Sequence, residues 1–324
     1  MEDLYGRAVT YLRVSVTDRC NLRCRYCMPE DGPRFRDPAD VLGWDELERV
    51  VRVAVGLGVR RIRVTGGEPT TRPGLVEFIA RVAAIPGVED LALSTNAVLL
   101  APLAAPLRAA GLRRVNISLD SLRADRFREL TRFGDWQAAW DGIQAARAAG
   151  LDPVKLNCVV LAGANDDELA DFVALTRDPL HVRFIELMPL GSSHPWARDR
   201  LFPVAAMRER IAERYTLEPA ELDGGGPARY WRVPGFAGTV GFITAMTENF
   251  CTGCNRVRLT ADGELQPCLG SLLAMDLRGP MRAGISDDEL RTLVARGIRA
   301  KPERHLMEEY LAETAGRRMW TIGG

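Results

Sequence analysis

The sequence predicts an α/β protein: a partial, open (β/α)6 barrel followed by a C-terminal α+β extension that carries a second cysteine group. Three observations predict it. Between Tyr11 and Leu187, six strand-like segments alternate with helix-like ones, the rhythm of a parallel sheet with helices outside. Six units fall short of the eight that close a standard barrel. After Leu187 the rhythm stops and short strand-like pieces take over. The expected division is a barrel over residues 1–218 and an extension over residues 219–324.

Each element has a local reason. Tyr11–Thr17 alternates apolar and polar residues, as a strand does. Trp44–Leu57 carries Trp44, Leu47, Val51 and Ala54 at helical spacing, and Gly58 closes it. Val59–Thr65 is the second strand, and Pro73 opens a helix bearing Leu75, Phe78, Ile79 and Val82. Leu91–Thr95, Val115–Leu119, Val154–Val160 and Val182–Leu187 are the remaining strands. Helices are expected over Leu103–Ala110, Trp136–Ala149 with Asp135 as N-cap, and Asp167–Thr176. Pro189–Phe202 reads as a long loop, Val204–Tyr215 as a short helix and Leu222–Arg229 as a linker. Tyr230–Val233 and Thr239–Ile243 are strand-like, and Ser286–Glu289 fits a capping box.

Composition narrows the function classes. With 47% hydrophobic and 27% charged residues the chain is an ordinary globular protein. Its 43 basic residues balance 43 acidic ones, so no global field steers it toward nucleic acid or membrane, and any anion site must be local. Met1–Tyr5 is not a signal peptide and no apolar run approaches bilayer length, so a cytoplasmic location is expected. There, cysteines bind metals more often than they form disulfides. Only Lys155 and Lys301 break an otherwise all-Arg usage.

The chemistry is expected at the strand ends. Cys20, Cys24 and Cys27 place three thiols within eight residues, on a loop after the first strand. A four-iron cluster has four corners, so three cysteines leave one iron open to a small molecule. A three-cysteine Zn site with a distant fourth ligand is the other reading. Cys251, Cys254 and Cys268 form a second trio, and it too lacks a local fourth ligand. Cys158 lies in a strand and reads as core, while His181, His194 and His305 are scattered, each expected on the surface or in a loop. Gly66–Pro69, Ser94–Asn96, Ser118–Asp120 and Met188-Pro189 also follow strand ends, the rim where β/α barrels build active sites.

The Cys-x3-Cys-x2-Cys spacing resembles the signature of the radical S-adenosylmethionine (SAM) enzymes. Cys-x2-Cys-x13-Cys, the run Cys254–Thr260 and the terminal Gly323-Gly324 narrow the likeness. Together they resemble the GTP 3′,8-cyclase family of molybdenum cofactor biosynthesis over essentially the whole chain. The resemblance implies two [4Fe-4S] clusters, held by Cys20, Cys24 and Cys27 and by Cys251, Cys254 and Cys268. It implies SAM contacts from Tyr26, Gly67, Glu68, Ser118 and Met188, and GTP contacts from Arg13, Arg63, Ser94, Lys155, Arg256 and Arg258. Arg256, Arg258, Gly323 and Gly324 are implied in catalysis. In this family a deoxyadenosyl radical takes hydrogen from the ribose C3′ of GTP, and the carbon radical attacks guanine C8. A flavodoxin- or ferredoxin-like reductant, a downstream cyclic pyranopterin monophosphate synthase and a second copy in a homodimer are the implied partners. Ala97 stands where the family usually has Gly, and Ser94 where Thr is common.

Two alternatives stay open on sequence alone. A radical SAM enzyme that modifies a peptide would usually carry more C-terminal cysteines. The other is a non-catalytic Zn- or iron–sulfur-binding module, which in its Zn form would be colourless.

Overall fold

The computed structural model describes residues 1–29, 31–188, 196, 199–222, 225–305 and 319–323. His194, Gly324 and most of the Pro189–Phe202 loop therefore lie outside the described residues.

Six strands fall where the sequence places them: β1 (Tyr11–Ser15), β2 (Arg61–Thr65), β3 (Asp90–Thr95), β4 (Arg114–Ser118), β5 (Val154–Val160) and β6 (His181–Glu186). The remainder of the chain adds β7 (Glu218–Ala220), β8 (Arg229–Arg232), β9 (Val240–Ile243), β10 (Arg256–Leu259), β11 (Glu264–Gln266) and β12 (Met275–Asp276). All lie in one sheet, in the order β12-β11-β10-β1-β2-β3-β4-β5-β6-β9-β8-β7. From β10 to β9 every pairing is parallel, and the outer pairs at both ends are antiparallel. The sheet is left open, with β12 and β7 at its two margins. The C-terminal part thus extends the barrel on both sides: β9 pairs with β6, and β10 with β1.

Alternation along the strands sorts the residues. Leu12, Val14, Ile62, Val64, Leu91 and Leu93 are buried in the single large core with Leu47, Val51, Phe78 and Ile79 of the covering helices. That apolar layer is the main favourable term in holding the barrel together. The opposite face carries polar residues. Register sets Arg258 beside Arg13, and Arg13 beside Arg63. It likewise sets Ser118 beside Asn157, and Asn157 beside Arg183.

Local signals explain the helix ends. The side chain of Asp135 accepts from Ala138 N–H at 3.2 Å and caps helix Trp136–Ala148, as expected. Ser286 and Glu289 form the predicted capping box of helix Asp287–Arg299. One helix start is shifted. Pro73 does not itself open a helix; Gly74 turns the chain at φ 83° and helix Leu75–Ala83 begins after it. Helix Ala124–Thr131, which sits between β4 and helix Trp136–Ala148, had no sequence forecast, and neither did the short helices Arg278–Arg282 and Met319–Ile322.

Candidate active site

A cavity of about 300 Å³ lies inside the barrel at the C-terminal ends of the strands. All six paired-off cysteines, Cys20, Cys24, Cys27, Cys251, Cys254 and Cys268, line it as free thiols. Cys158 does not; it is buried in the core, as expected.

The first cysteine loop is held from two sides. Arg23 N–H donates to Thr131 O at 3.1 Å and Arg25 N–H to Leu130 O at 2.9 Å, so helix Ala124–Thr131 is its support. On the other side Gly67 N–H donates to Thr17 O and Glu68 N–H to Arg19 O, each at 2.8 Å. A Cβ on Gly67 would collide with the backbone carbonyl of Arg19. The glycine is therefore required by close approach to the segment entering the cysteine loop.

Glu68 is 1% exposed and accepts four hydrogen bonds. Thr70 N–H, Thr70 Oγ1 and Thr95 Oγ1 reach its Oε1 at 3.1, 2.6 and 2.7 Å, and Asn96 N–H reaches Oε2 at 2.6 Å. Burial raises its pKa, and these donors pull against that. Tyr26 lines the cavity and donates its hydroxyl to Asp120 Oδ2 at 2.6 Å. Asp120 Oδ1 accepts from Val159 N–H at 2.8 Å, so one carboxylate ties the cysteine loop to β4 and β5. Burial lifts the Asp120 carboxyl to about 6.

The cavity wall is cationic. Arg13, Arg63, Arg183, Arg256 and Arg258 all line it. Burial brings Arg63 and Arg258 down to about 10 and lowers Arg13 further, with the neighbouring guanidiniums adding to the effect. The Nε atoms of Arg63 and Arg183 are buried and have no hydrogen-bond partner among the described residues. Buried donors and clustered like charges are costly unless an anion meets them. Lys155 is placed differently. It faces inward from β5 but does not line the cavity, its ammonium standing 5.5 Å from the ring centre of Tyr230. Burial, then Arg183, Arg114 and Arg63, lowers it to about 6. Ser94, Ser118 and Met188 line the cavity as expected.

The chain's end enters the same space. Trp320 lines the cavity, and its backbone hydrogen-bonds the Cys27 sulfur. The Gly323 carbonyl accepts from Arg13 Nη2 at 3.2 Å and Arg258 Nη1 at 2.5 Å. Gly323 has φ 72°, and a Cβ there would collide with Thr65 Oγ1.

The donor set suits a soft, cationic cluster. Burial pushes Cys20 up to about 11 and Cys27 up to about 12, and raises Cys24 and Cys268. Such thiols ionise only when a metal meets them. At Cys254 burial is outweighed by Arg256 and Lys301, and its pKa falls to about 7.

Sequence reasoning overlooked three site residues. In the sequence Asp120 stands out only as part of a strand-end triplet, and Arg183 is turned inward by the polar–apolar alternation of β6. His305, for which the sequence offered no role, lines the cavity with both ring nitrogens unpartnered among the described residues.

Residues 14–176 match the family model "Radical SAM superfamily" and residues 180–307 match "Molybdenum Cofactor Synthesis C". The chain is 52% identical to the GTP 3′,8-cyclase of Pelotomaculum thermopropionicum, with 100% of both chains covered. It is 51% identical to that of Heliobacterium modesticaldum, again over 100% of both. For the GTP 3′,8-cyclase of Geobacter sulfurreducens the identity is 48%, over 99% of both. The fold is similar to the crystal structure of Streptococcus suis SuiB bound to S-adenosylmethionine, with a TM-score of 0.59 at 14% identity, covering 98% of this chain and 76% of that one. A full-length match at this identity, on a barrel whose two cysteine trios open into one cavity, assigns the chain to the GTP 3′,8-cyclase family of radical SAM proteins.

Proposed function

We propose that the chain cyclises GTP to (8S)-3′,8-cyclo-7,8-dihydroguanosine 5′-triphosphate, the first step of molybdopterin biosynthesis, and is by class a lyase. The observation that carries this reading is the single cavity shared by both cysteine trios and the buried arginines. Family membership brings one [4Fe-4S] cluster and SAM; we assign that cluster to Cys20, Cys24 and Cys27 and a second to Cys251, Cys254 and Cys268. When bound, the first cluster with SAM supplies the deoxyadenosyl radical.

The chain's own residues then bind, orient and seal. Tyr26, held by Asp120, flanks the SAM site together with Gly67, Glu68, Ser118 and Met188. Glu68 acts through its backbone and its hold on Thr95 and Asn96, because its carboxylate already accepts four bonds. Arg13, Arg63, Arg183 and Arg258 meet the triphosphate, with Ser94 beside them, and bidentate guanidiniums suit phosphate oxygens. Arg256 and Arg258 bring charge to the second trio, and a cluster held there by Cys251, Cys254 and Cys268 would supply a site for the guanine base. Lys155 acts from beneath this layer. Gly323 closes the cavity beside the ribose, excluding the water that would quench a carbon radical, and Gly324, outside the described residues, shares its catalytic role. In this division residues 1–218 hold SAM and most of the triphosphate contacts, and residues 219–324 bring the second trio with Arg256 and Arg258. The enzyme works in the cytoplasm, as a homodimer, takes electrons from a flavodoxin or ferredoxin and hands its product to cyclic pyranopterin monophosphate synthase. No helix among the described residues is long and apolar enough to cross a membrane.

The test is to incubate the reduced, reconstituted protein with SAM and GTP. The expected products are 5′-deoxyadenosine and a cyclised nucleotide in equal amounts. Deoxyadenosine without the cyclised nucleotide would defeat the reading in favour of another radical SAM substrate.

A further inference from the structure

Lys301 is one of two lysines in a chain of arginines, and the proposed chemistry gives it no role. It is 3% exposed, lines the cavity and follows helix Asp287–Arg299. Its ammonium donates to the carbonyls of Arg256 and Pro267, both at 2.8 Å. Arg256 lies two residues beyond Cys254 and Pro267 one before Cys268, so a single cation bridges the two arms that carry these thiols.

The third thiol is held in a parallel way. Arg7 Nη1 donates to Cys251 O at 2.8 Å and to Glu303 O at 2.7 Å, and its Nη2 donates to Pro302 O at 2.6 Å. Asp3 Oδ2 fixes the guanidinium from behind at 2.6 Å. Residues 301–303 are thus tied through two cations to Cys251 itself and to the backbone one or two residues from Cys254 and Cys268.

We propose that Lys301 is a positioning residue for the second cluster, with Arg7 as its partner: together they set the spacing of Cys251, Cys254 and Cys268. This rests on the second trio holding a cluster. Two consequences follow. A flexible two-carbonyl bridge needs an ammonium, whose three donors point in different directions, so the planar fork of Arg is no simple replacement. A fixed positive charge beside the thiolates also favours the more negative, reduced cluster and raises its potential.

The experiment uses full-length protein in which Cys20, Cys24 and Cys27 are changed to Ala, so that only the second trio can be loaded. The parent should hold about four irons per chain after anaerobic reconstitution. Lys301→Met in that background should lose at least half of this iron on brief chelator exposure, and the remaining cluster should titrate at a lower potential. Lys301→Gln, which keeps one donor group without charge, should hold more iron than Lys301→Met at the same lowered potential. Should these variants fail to fold, unmutated protein still decides. Amine labelling read by mass spectrometry should find Lys301 protected in the iron-loaded form and at least tenfold more reactive after iron removal. Normal iron and potential in Lys301→Met, or equal labelling in both forms, would overturn the proposal. A folded parent that binds no iron would instead overturn the cluster assignment beneath it.

Discussion

Asp120 is 4% exposed, yet its carboxylate holds Tyr26 and the Val159 amide at once. Burial raises its pKa to about 6, against about 3.9 in an unfolded chain. Below about 4 it is protonated in both states and contributes nothing. Between about 4 and 6 the unfolded chain has lost the proton while the folded one keeps it, so stability falls as pH rises through this window and is flat above it. Two pKa units correspond to roughly 3 kcal/mol at most. Asp120→Asn is isosteric, and the network can absorb it: the amide oxygen accepts from Val159 while the amide donates to the Tyr26 oxygen. Urea midpoints at pH 4.5 and 7 should therefore converge in the variant relative to the parent, with SAM binding retained. Identical pH slopes in both would sink the assignment of a raised carboxyl. Ala97 is a second residue whose meaning emerges only in the fold. It has φ 63°, in the left-handed region, which costs a side-chain-bearing residue about 1–2 kcal/mol. The family's customary Gly at this point had marked the turn, and the structure supplies the reason. A Cβ on Gly142, in the helix opposite, would collide with the Ala97 carbonyl, so this turn is packed too closely to relax.

At the scale of elements, legibility followed how local each signal was. β5 could be read residue for residue because apolar residues alternate with Lys155 and Asn157 along it and turn residues bound it. Helix Ala124–Thr131 could not. It packs only Phe127, Leu130 and Thr131 inward, among charges, and its role is tertiary: its last carbonyls receive the amides of the cysteine loop. β10 escaped for a related reason, since a four-residue strand owes its existence to pairing with β1, more than two hundred residues away in sequence. The final segment was legible from Gly323-Gly324 as a likeness, though not in its contacts. Helix Met319–Ile322 delivers the Gly323 carbonyl to Arg13 and Arg258, and only a residue without Cβ fits against Thr65 at φ 72°. Gly323→Ala should therefore expel the tail. The expected result is a fall in kcat of tenfold or more with iron content and SAM binding unchanged. A variant that turns over normally would show that the tail's seat in the cavity is incidental.

The whole molecule is built around an imbalance that its neutral net charge conceals. One face of the sheet buries apolar residues, while the other collects Arg13, Arg63, Arg183, Arg256 and Arg258 around one cavity, each of the first three coming from a different strand of the barrel. In the sequence Arg13 and Arg63 stand out as charges inside apolar strands, while Arg256 and Arg258 are reached only through the family resemblance. Arg183 required the register of β5 and β6 to be seen facing the site. This arrangement trades stability for binding. Arg183 is 3% exposed, its Nε is unpartnered, and it donates to Asn116 Oδ1 at 2.5 Å. Its charge is among the causes that lower Lys155, after burial. Arg183→Met keeps the aliphatic bulk and removes the charge. It forfeits one hydrogen bond, about 1 kcal/mol, and relieves a buried cation whose desolvation costs several kcal/mol. The nucleotide-free variant should thus melt higher than the parent, by about 1 kcal/mol or more in stability. Its GTP affinity should fall at least tenfold, the worth of one charge-assisted contact at about 1.5–3 kcal/mol, while SAM affinity stays the same. Added GTP should then raise the melting temperature of the parent far more than that of the variant, since a ligand stabilises only in proportion to its binding of the folded state. If Arg183→Met lowers stability and leaves GTP affinity intact, the cations are a structural network satisfied within the fold, and the triphosphate must be met elsewhere.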